Sequence, residues 1–230
     1  MKREYKTLLF DADGTLFDYE LAERTALLKS FEHFSLTGTE EEIVTGYRLI
    51  NNDLWQKFEA GMISLPDLRT ERFSLLFESL GIELDPAKFG EIYIYHLGAS
   101  SELLPGALSL LKKLTGKYTL ALITNGIADV QYRRLNDSGL AQYFKEVVIS
   151  EEIGYPKPEP AFFAITRKRL GNPPKDEILI IGDSLTSDIA GGNLSEIDTC
   201  WFNPQNKPNE SSIKPTYIIT ELAELELEIL

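Results

Sequence analysis

Thr7-Leu8-Leu9-Phe10-Asp11-Ala12-Asp13-Gly14-Thr15-Leu16 is the stretch on which the reading of this chain turns. Residues 7–10 have the apolar, partly β-branched character of a buried strand, and Gly14 marks a turn. Between them stand two carboxylates two residues apart. Like charges that close repel, so one is protonated or a cation neutralises both. A carboxylate at the tip of a buried strand serves as a nucleophile, a general acid or a metal ligand.

Working outward, strand-like apolar runs recur at 119–123, 146–149, 178–181, 199–202 and 217–219. Helical patterns separate most of them. The clearest is 105–114, with Ala107, Leu110, Leu111 and Leu114 on one face, proline at its start and Gly116 as its stop. Near-continuous apolar strands alternating with helices predict a parallel sheet covered on both faces, and right-handed crossovers make it a doubly wound α/β domain. From Asp18 to about Ser101 no strand is predicted. Segments 21–34, 39–60, 65–80 and 86–97 all read as helical, with breaks at Gly38, Gly61, Gly81 and Gly98. The predicted organisation is therefore a core of 1–17 and 102–230 interrupted by a helical insertion, 18–101. Ligands of open α/β sheets bind at the carboxyl ends of the strands, so an insertion there is expected to act as a cap. The stretch 203–215 reads as a surface loop.

Composition narrows the function. The chain has 230 residues, 43% hydrophobic and 26% charged, and a net charge of -13. That charge argues against nucleic-acid polymers as partners, since their binding depends on Lys and Arg neutralising phosphates. It leaves room for a small phosphorylated ligand at a local cation. No apolar run approaches the roughly 20 residues of a membrane span. The N-terminal Met1-Lys2-Arg3-Glu4-Tyr5-Lys6 is followed by only four apolar residues, too few for a signal peptide. A single cysteine, Cys200, in the apolar context of a strand, suits a reducing cytoplasm.

Other strand ends carry polar residues. Run 119–123 ends in Thr124-Asn125-Gly126, a hydroxyl and an amide before a glycine that lets backbone N–H groups approach an anion; the same triplet also serves as a plain helix cap. Segment 127–138 then reads as a helix. In Tyr155-Pro156-Lys157-Pro158 two prolines restrain one lysine, which is either a fixed charge beside a phosphate or a solvated loop residue. Run 178–181 ends in Gly182-Asp183-Ser184, and Asp188 follows in the first turn of the next helix, as an orienting residue beside a metal or as a helix cap. Gly191-Gly192 inside that helix would cost roughly 2 kcal/mol against alanine, a cost that close packing against the site loop explains.

Taken in order, Asp11-Ala12-Asp13-Gly14-Thr15, Thr124, Lys157 and Gly182-Asp183-Ser184 with Asp188 resemble the four motifs of the haloacid dehalogenase superfamily, and the helical block resembles its type 1 cap. Asn51-Asn52-Asp53-Leu54-Trp55, Gly61-Met62-Ile63, Arg72-Phe73, Ile149-Ser150-Glu151-Glu152 and Asp198-Thr199-Cys200-Trp201 resemble its pyrimidine 5'-nucleotidase branch. Ser195-Glu196 departs from the Ala-Gly that many relatives carry.

The resemblance implies a Mg2+-dependent phosphatase, with Mn2+ or Co2+ able to substitute. Asp11 would be the nucleophile that forms an aspartyl-phosphate, and Asp13 the general acid and then base. Mg2+ would be held by the Asp11 and Asp183 carboxylates and the Asp13 backbone carbonyl. Thr124 and the Asn125 backbone would bind phosphoryl oxygens, and Lys157 would neutralise charge. A dehalogenase needs no acid for its leaving group, so Asp13 favours phosphate esters. The implied substrate is a small phosphomonoester, a nucleotide first; a sugar-phosphate phosphatase or phosphomutase and a non-catalytic phospho-ligand module are the alternatives. Choice of substrate would fall to the insertion, with Asn51, Trp55 and Arg72 as candidates. Trp55 with Phe58 also reads as the insertion's own core, and Arg72 as the partner of a nearby Glu. His33 and His96 lack metal-ligand spacing and receive no role. A monomer or small homo-oligomer is expected.

Overall fold

The computed structural model describes residues 4–230. Residues 1–3, on which the reading of the N-terminus partly rests, lie outside them. The chain divides into two compact units, 1–19 with 101–230, and 20–100.

The first unit is built on six parallel strands: β1 (Thr7–Phe10), β2 (Thr119–Thr124), β3 (Glu146–Ile149), β4 (Ile178–Gly182), β5 (Asp198–Phe202) and β6 (Tyr217–Ile219). Their order is β3-β2-β1-β4-β5-β6. β1 is central: Phe10 lies level with Leu122 of β2 and Ile181 of β4. That register brings Asp11, Thr124 and Asp183 to one end of the sheet. Alternate residues face opposite sides. Leu8, Phe10, Leu122, Leu179 and Ile181 pack with Leu110, Leu111 and Leu114, while Leu9, Ile123 and Ile180 pack with Phe162 and Phe163. Both faces are covered, which is why these strands read as continuous apolar runs.

Among the described residues, this unit's α-helices are α5 (Ala107–Leu114), α6 (Ala128–Asp137), α7 (Ser150–Ile153), α8 (Pro160–Arg169) and α9 (Ala190–Leu194). α5 begins two residues later than its proline suggests, because Gly106 adopts φ +86°, which no helix accepts. The segment after β4 opens with a π-helical turn, Leu185–Ile189, where Ser184 Oγ accepts from Ser187 N–H; Asp188 therefore stands in that turn and not in a regular first turn. Gly191 and Gly192 are tightly enclosed. A Cβ on Gly191 would lie 2.4 Å from Phe163 Cε2, and one on Gly192 2.2 Å from Thr199 Cγ2. Glu196 has φ +58°, the left-handed region that favours glycine.

The second unit holds α1 (Tyr19–His33), α2 (Glu40–Glu59), α3 (Leu65–Leu80) and α4 (Pro86–Gly98). Thr39 with Glu42 and Ser64 with Asp67 form capping boxes that start α2 and α3, each worth about 1 kcal/mol. Its core is aromatic, with Phe73 packed against Tyr47, Phe89 and Tyr93. Among the described residues, no helix is long and apolar enough to cross a membrane.

Candidate active site

Lys157 organises the carboxyl end of the sheet. It is 1% exposed, which rules out a solvated loop lysine. Its ammonium has three N–H donors, and all three are used: Asp11 Oδ1 at 2.6 Å, Asp188 Oδ1 at 2.6 Å and the Ile123 carbonyl at 3.1 Å. Its backbone is fixed as well. Asn125 Oδ1 accepts from Lys157 N–H and Asn125 Nδ2 donates to the Lys157 carbonyl, both at 2.8 Å. The Asn125 side chain thus clamps the lysine loop to the end of β2. Burial alone would lower the Lys157 pKa, but the two carboxylates outweigh it and hold the group above the usual lysine value.

Asp11, Asp183 and Asp188 each offer an oxygen, and these oxygens all lie within 4.8 Å of one another. Burial raises Asp11 well above the ordinary carboxylate range; Lys157 pulls against that, and Asp188 and Asp183 add to it. Asp183 keeps part of its surface in solvent, yet its carboxyl is crowded, and burial followed by the Asp188 charge pushes it up to about 7. Gly14, at φ +82°, makes room for it, since a Cβ there would lie 2.4 Å from Asp183 Oδ2. Three carboxylates beside one ammonium leave an excess of two negative charges. The donors are hard oxygens, so the cluster fits a divalent ion such as Mg2+. Asp188 is tied more tightly than an isolated ligand: its Oδ2 accepts from Ser184 N–H at 3.2 Å while Oδ1 holds Lys157.

Thr124 is buried, and its Oγ1 accepts from Gly126 N–H at 2.9 Å, which leaves its own hydrogen to donate. None of Thr124, Asn125 and Gly126 is the cap of α6. The capping position is Ile127, without a side-chain cap, and Glu151 Oε2 accepts from Ala128 N–H at 2.9 Å. Asp13 stands apart from the acidic trio. Its Oδ2 accepts from Gln131 Nε2 at 2.6 Å, and its Oδ1 pairs with Arg134. The sequence gives no role to Gln131 and Arg134, and it places Glu151 and Thr15 in motifs without one; the Thr15 hydroxyl is 3.3 Å from Asp11 Oδ2. The available signal was Gln131 and Arg134 one turn apart on α6.

The three candidates of the helical unit lie on α2 and α3. Asn51, 1% exposed, donates to Glu23 Oε1 at 3.0 Å and accepts from Arg72 Nη1 at 3.5 Å. Arg72, equally buried, lies 4.8 Å over Phe73 and 4.9 Å over Tyr93. Trp55 is half-buried and meets Phe58 edge-on, their ring centres 5.6 Å apart. Asn51 and Arg72 are thus joined in one buried polar network, and Trp55 is not part of it.

A doubly wound parallel sheet with four aspartates and a clamped lysine at its strand ends is the arrangement of a hydrolase family. The chain belongs to the haloacid dehalogenase-like hydrolases, whose family model matches residues 5–195. Over 225 residues it is 41% identical to the HAD-hydrolase YfnB of Bacillus subtilis (strain 168), covering 98% of this chain and 95% of that one. A crystal structure of YfnB bound to magnesium matches with a TM-score of 0.93 at 40% identity and covers 99% of both chains. The pyrimidine 5'-nucleotidase YjjG of Escherichia coli (strain K12) is 36% identical over 219 residues, 95% of each chain. The pyrimidine 5'-nucleotidase PynA of Streptococcus pneumoniae (strain ATCC BAA-255 / R6) is 37% identical over 222 residues, 96% of this chain and 93% of its own.

Proposed function

We propose that this chain is a cytoplasmic phosphatase that hydrolyses pyrimidine nucleoside 5'-monophosphates through an aspartyl-phosphate on Asp11. The observation that carries the phosphatase reading is the pairing of a lysine-bound carboxylate, Asp11, with a second one, Asp13, two residues on and outside the acidic trio. Asp11 attacks phosphorus in line with the leaving oxygen. Asp13 gives its proton to that oxygen and later takes one from the attacking water. Thr124 Oγ1 and the Asn125 backbone N–H hold phosphoryl oxygens, and Lys157 balances charge on Asp11 and the phosphate. Mg2+, held by the Asp11 and Asp183 carboxylates and the Asp13 carbonyl, would polarise the phosphoryl group and offset its charge. Asp188 orients Lys157. The helical unit 20–100 carries the choice of substrate.

The pyrimidine preference is supported by YjjG and PynA, the two relatives named for it, which match this chain nearly end to end. The test is phosphate release from a panel of nucleoside monophosphates and sugar phosphates, with Mg2+ and with EDTA. Release from dUMP, dTMP or UMP that needs the metal is expected, and Asp11→Asn should abolish it with an unchanged far-UV spectrum. Preference for sugar phosphates would overturn the nucleotidase assignment. Near wild-type turnover in Asp11→Asn would overturn the mechanism.

A further inference from the structure

Asp13 is anchored on both of its oxygens. Gln131 Nε2 donates to Oδ2 at 2.6 Å, and Arg134 Nη1 donates to Oδ1. The two donors sit three residues apart on one face of α6, and both are fully buried. The Arg134 guanidinium lies 4.3 Å over the Phe17 ring, and the Phe17 backbone bridges to Asp13. One turn of chain therefore supplies both the carboxylate and the ring on which its partner rests.

A purely structural role does not account for this arrangement. A buried guanidinium is costly unless its N–H groups are satisfied. Among the described residues, Arg134 Nε and Nη2 and Gln131 Oε1 have no hydrogen-bond partner. The buried charge is directed at Asp13. Gly126 gives an independent sign: a Cβ there would lie 2.2 Å from Gln131 Nε2. The third residue of Thr124-Asn125-Gly126 is small where the Gln131 side chain must pass on its way to Asp13.

We infer that Gln131 and Arg134 are positioning residues that hold the Asp13 carboxyl in line for proton transfer to the leaving oxygen, an inference that rests on the phosphatase reading above. In that step the Asp11–phosphorus bond forms as the phosphorus–oxygen bond to the alcohol breaks. The proton of Asp13 goes to the departing oxygen. A free aspartate samples several rotamers, and two anchors on two oxygens restrict it to one orientation, which is what an effective proton donor requires. Gln131 and Arg134 act through the Asp13 carboxyl and take no part in the bonds made and broken at phosphorus.

The experiment compares kcat/KM for dTMP, whose sugar hydroxyl leaves only with a proton, and for p-nitrophenyl phosphate, whose phenolate leaves without one. This ratio covers the steps up to departure of the first product, so hydrolysis of the aspartyl-phosphate does not enter it. In Gln131→Met and Arg134→Met, kcat/KM for dTMP is expected to fall about 10²-fold, within the range of general acid catalysis, while the aryl ester loses less than about threefold. The loss should lie in kcat, and Arg134→Lys should recover part of it. The aryl ester doubles as a control for folding; should Arg134→Met fail to fold, Gln131→Met carries the comparison. Equal losses on both esters, or no loss on dTMP, would overturn the inference while leaving the phosphatase reading intact. A wild-type protein that hydrolyses neither ester would instead overturn that reading.

Discussion

Replacing Lys157 with methionine removes the one ammonium that lies between Asp11 and Asp188, 2.6 Å from each. The side chain it removes is 1% exposed, and Asp188 is wholly buried. The stem is roughly conserved in volume, so the change is electrostatic. Breaking a buried ion pair from one side costs about 3–5 kcal/mol. A second route gives a similar size. Two carboxylate charges 4.8 Å apart, the upper limit within the trio, repel by about 3.5 kcal/mol at an effective dielectric of about 20. The folded variant escapes by taking up protons, because its carboxyl groups then titrate higher than in the unfolded chain. The folded state binds more protons, and stability falls as pH rises. The loss is therefore expected to be about 3–5 kcal/mol at about pH 8 and clearly smaller at about pH 5.5. At this chain length it lowers the melting midpoint by roughly 6–20 °C. Urea unfolding in EDTA measures it, with Trp201 as the reporter, since its indole donates to the Asp183 carbonyl at 2.8 Å. A Trp55→Phe background removes the other tryptophan. Mg2+ at about 100 times its Kd should stabilise the folded protein by about 2.7 kcal/mol. A loss under about 1 kcal/mol at about pH 8, or one equal at both pH values, would refute the view that Lys157 neutralises a buried acidic cluster.

Mg2+ affinity should climb with pH up to and through about 7, because Asp183 is pushed up to about 7 and Asp11 is also raised, and both must lose protons to bind the ion. Calorimetry in two buffers of different ionisation heat would show proton release on binding, and an affinity flat between about pH 6 and 8 would contradict it. Gly191→Ala should cost about 1–3 kcal/mol, since its Cβ would lie 2.4 Å from Phe163 Cε2 and 3.1 Å from the Pro158 backbone. It should also slow phosphate release, because Pro158 follows Lys157; a thermal melt and a rate measurement check both. Ser64→Ala removes the cap of α3 and should cost about 1 kcal/mol, read in the Trp55 signal on urea unfolding.

The sheet was legible because buried parallel strands show themselves as short apolar runs, and β1, β3 and β6 begin and end where those runs do. Motif residues at strand ends were legible for the same reason: register, once the strands are placed, carries Asp11, Thr124 and Asp183 to one edge. What sequence could not show was which side chains satisfy which. Asn125 looked like an anion-binding amide, and its side chain instead clamps the Lys157 peptide, 32 residues away. Gln131 and Arg134 fall in a segment read only as a helix, because burial of an arginine depends on a partner more than 100 residues distant. Asn51 reads as a ligand contact, and Arg72 as either a ligand contact or the partner of a nearby Glu. Three helices bring them together with Glu23, whose own carboxyl is raised by burial against the pull of Arg48.

The charges of the site argue for a division of labour between its two aspartates. Asp11 shares a pocket with Asp183 and Asp188, and Lys157 offsets one of the three. A divalent ion would bring that pocket to neutrality, so an incoming phosphate dianion would meet no net repulsion there, and the Thr124 hydroxyl and the Asn125 backbone N–H would favour it. Asp13 is compensated separately, by Arg134. Asp13 thus has a cation of its own, distinct from the lysine that serves Asp11. An acid whose proton was governed by the same ion that binds the phosphate would change character each time substrate or product exchanged. Under the proposed mechanism, separate compensation would give the nucleophile and the acid/base different counter-charges. A Gln131 or Arg134 substitution should accordingly leave Mg2+ affinity within about twofold of wild type, whereas Lys157→Met, which raises the negative charge of the metal pocket itself, should strengthen it. Calorimetric titration of the three proteins with Mg2+ at one pH distinguishes the two compartments, and a Gln131 or Arg134 variant that shifts the affinity as far as Lys157→Met would merge them into one.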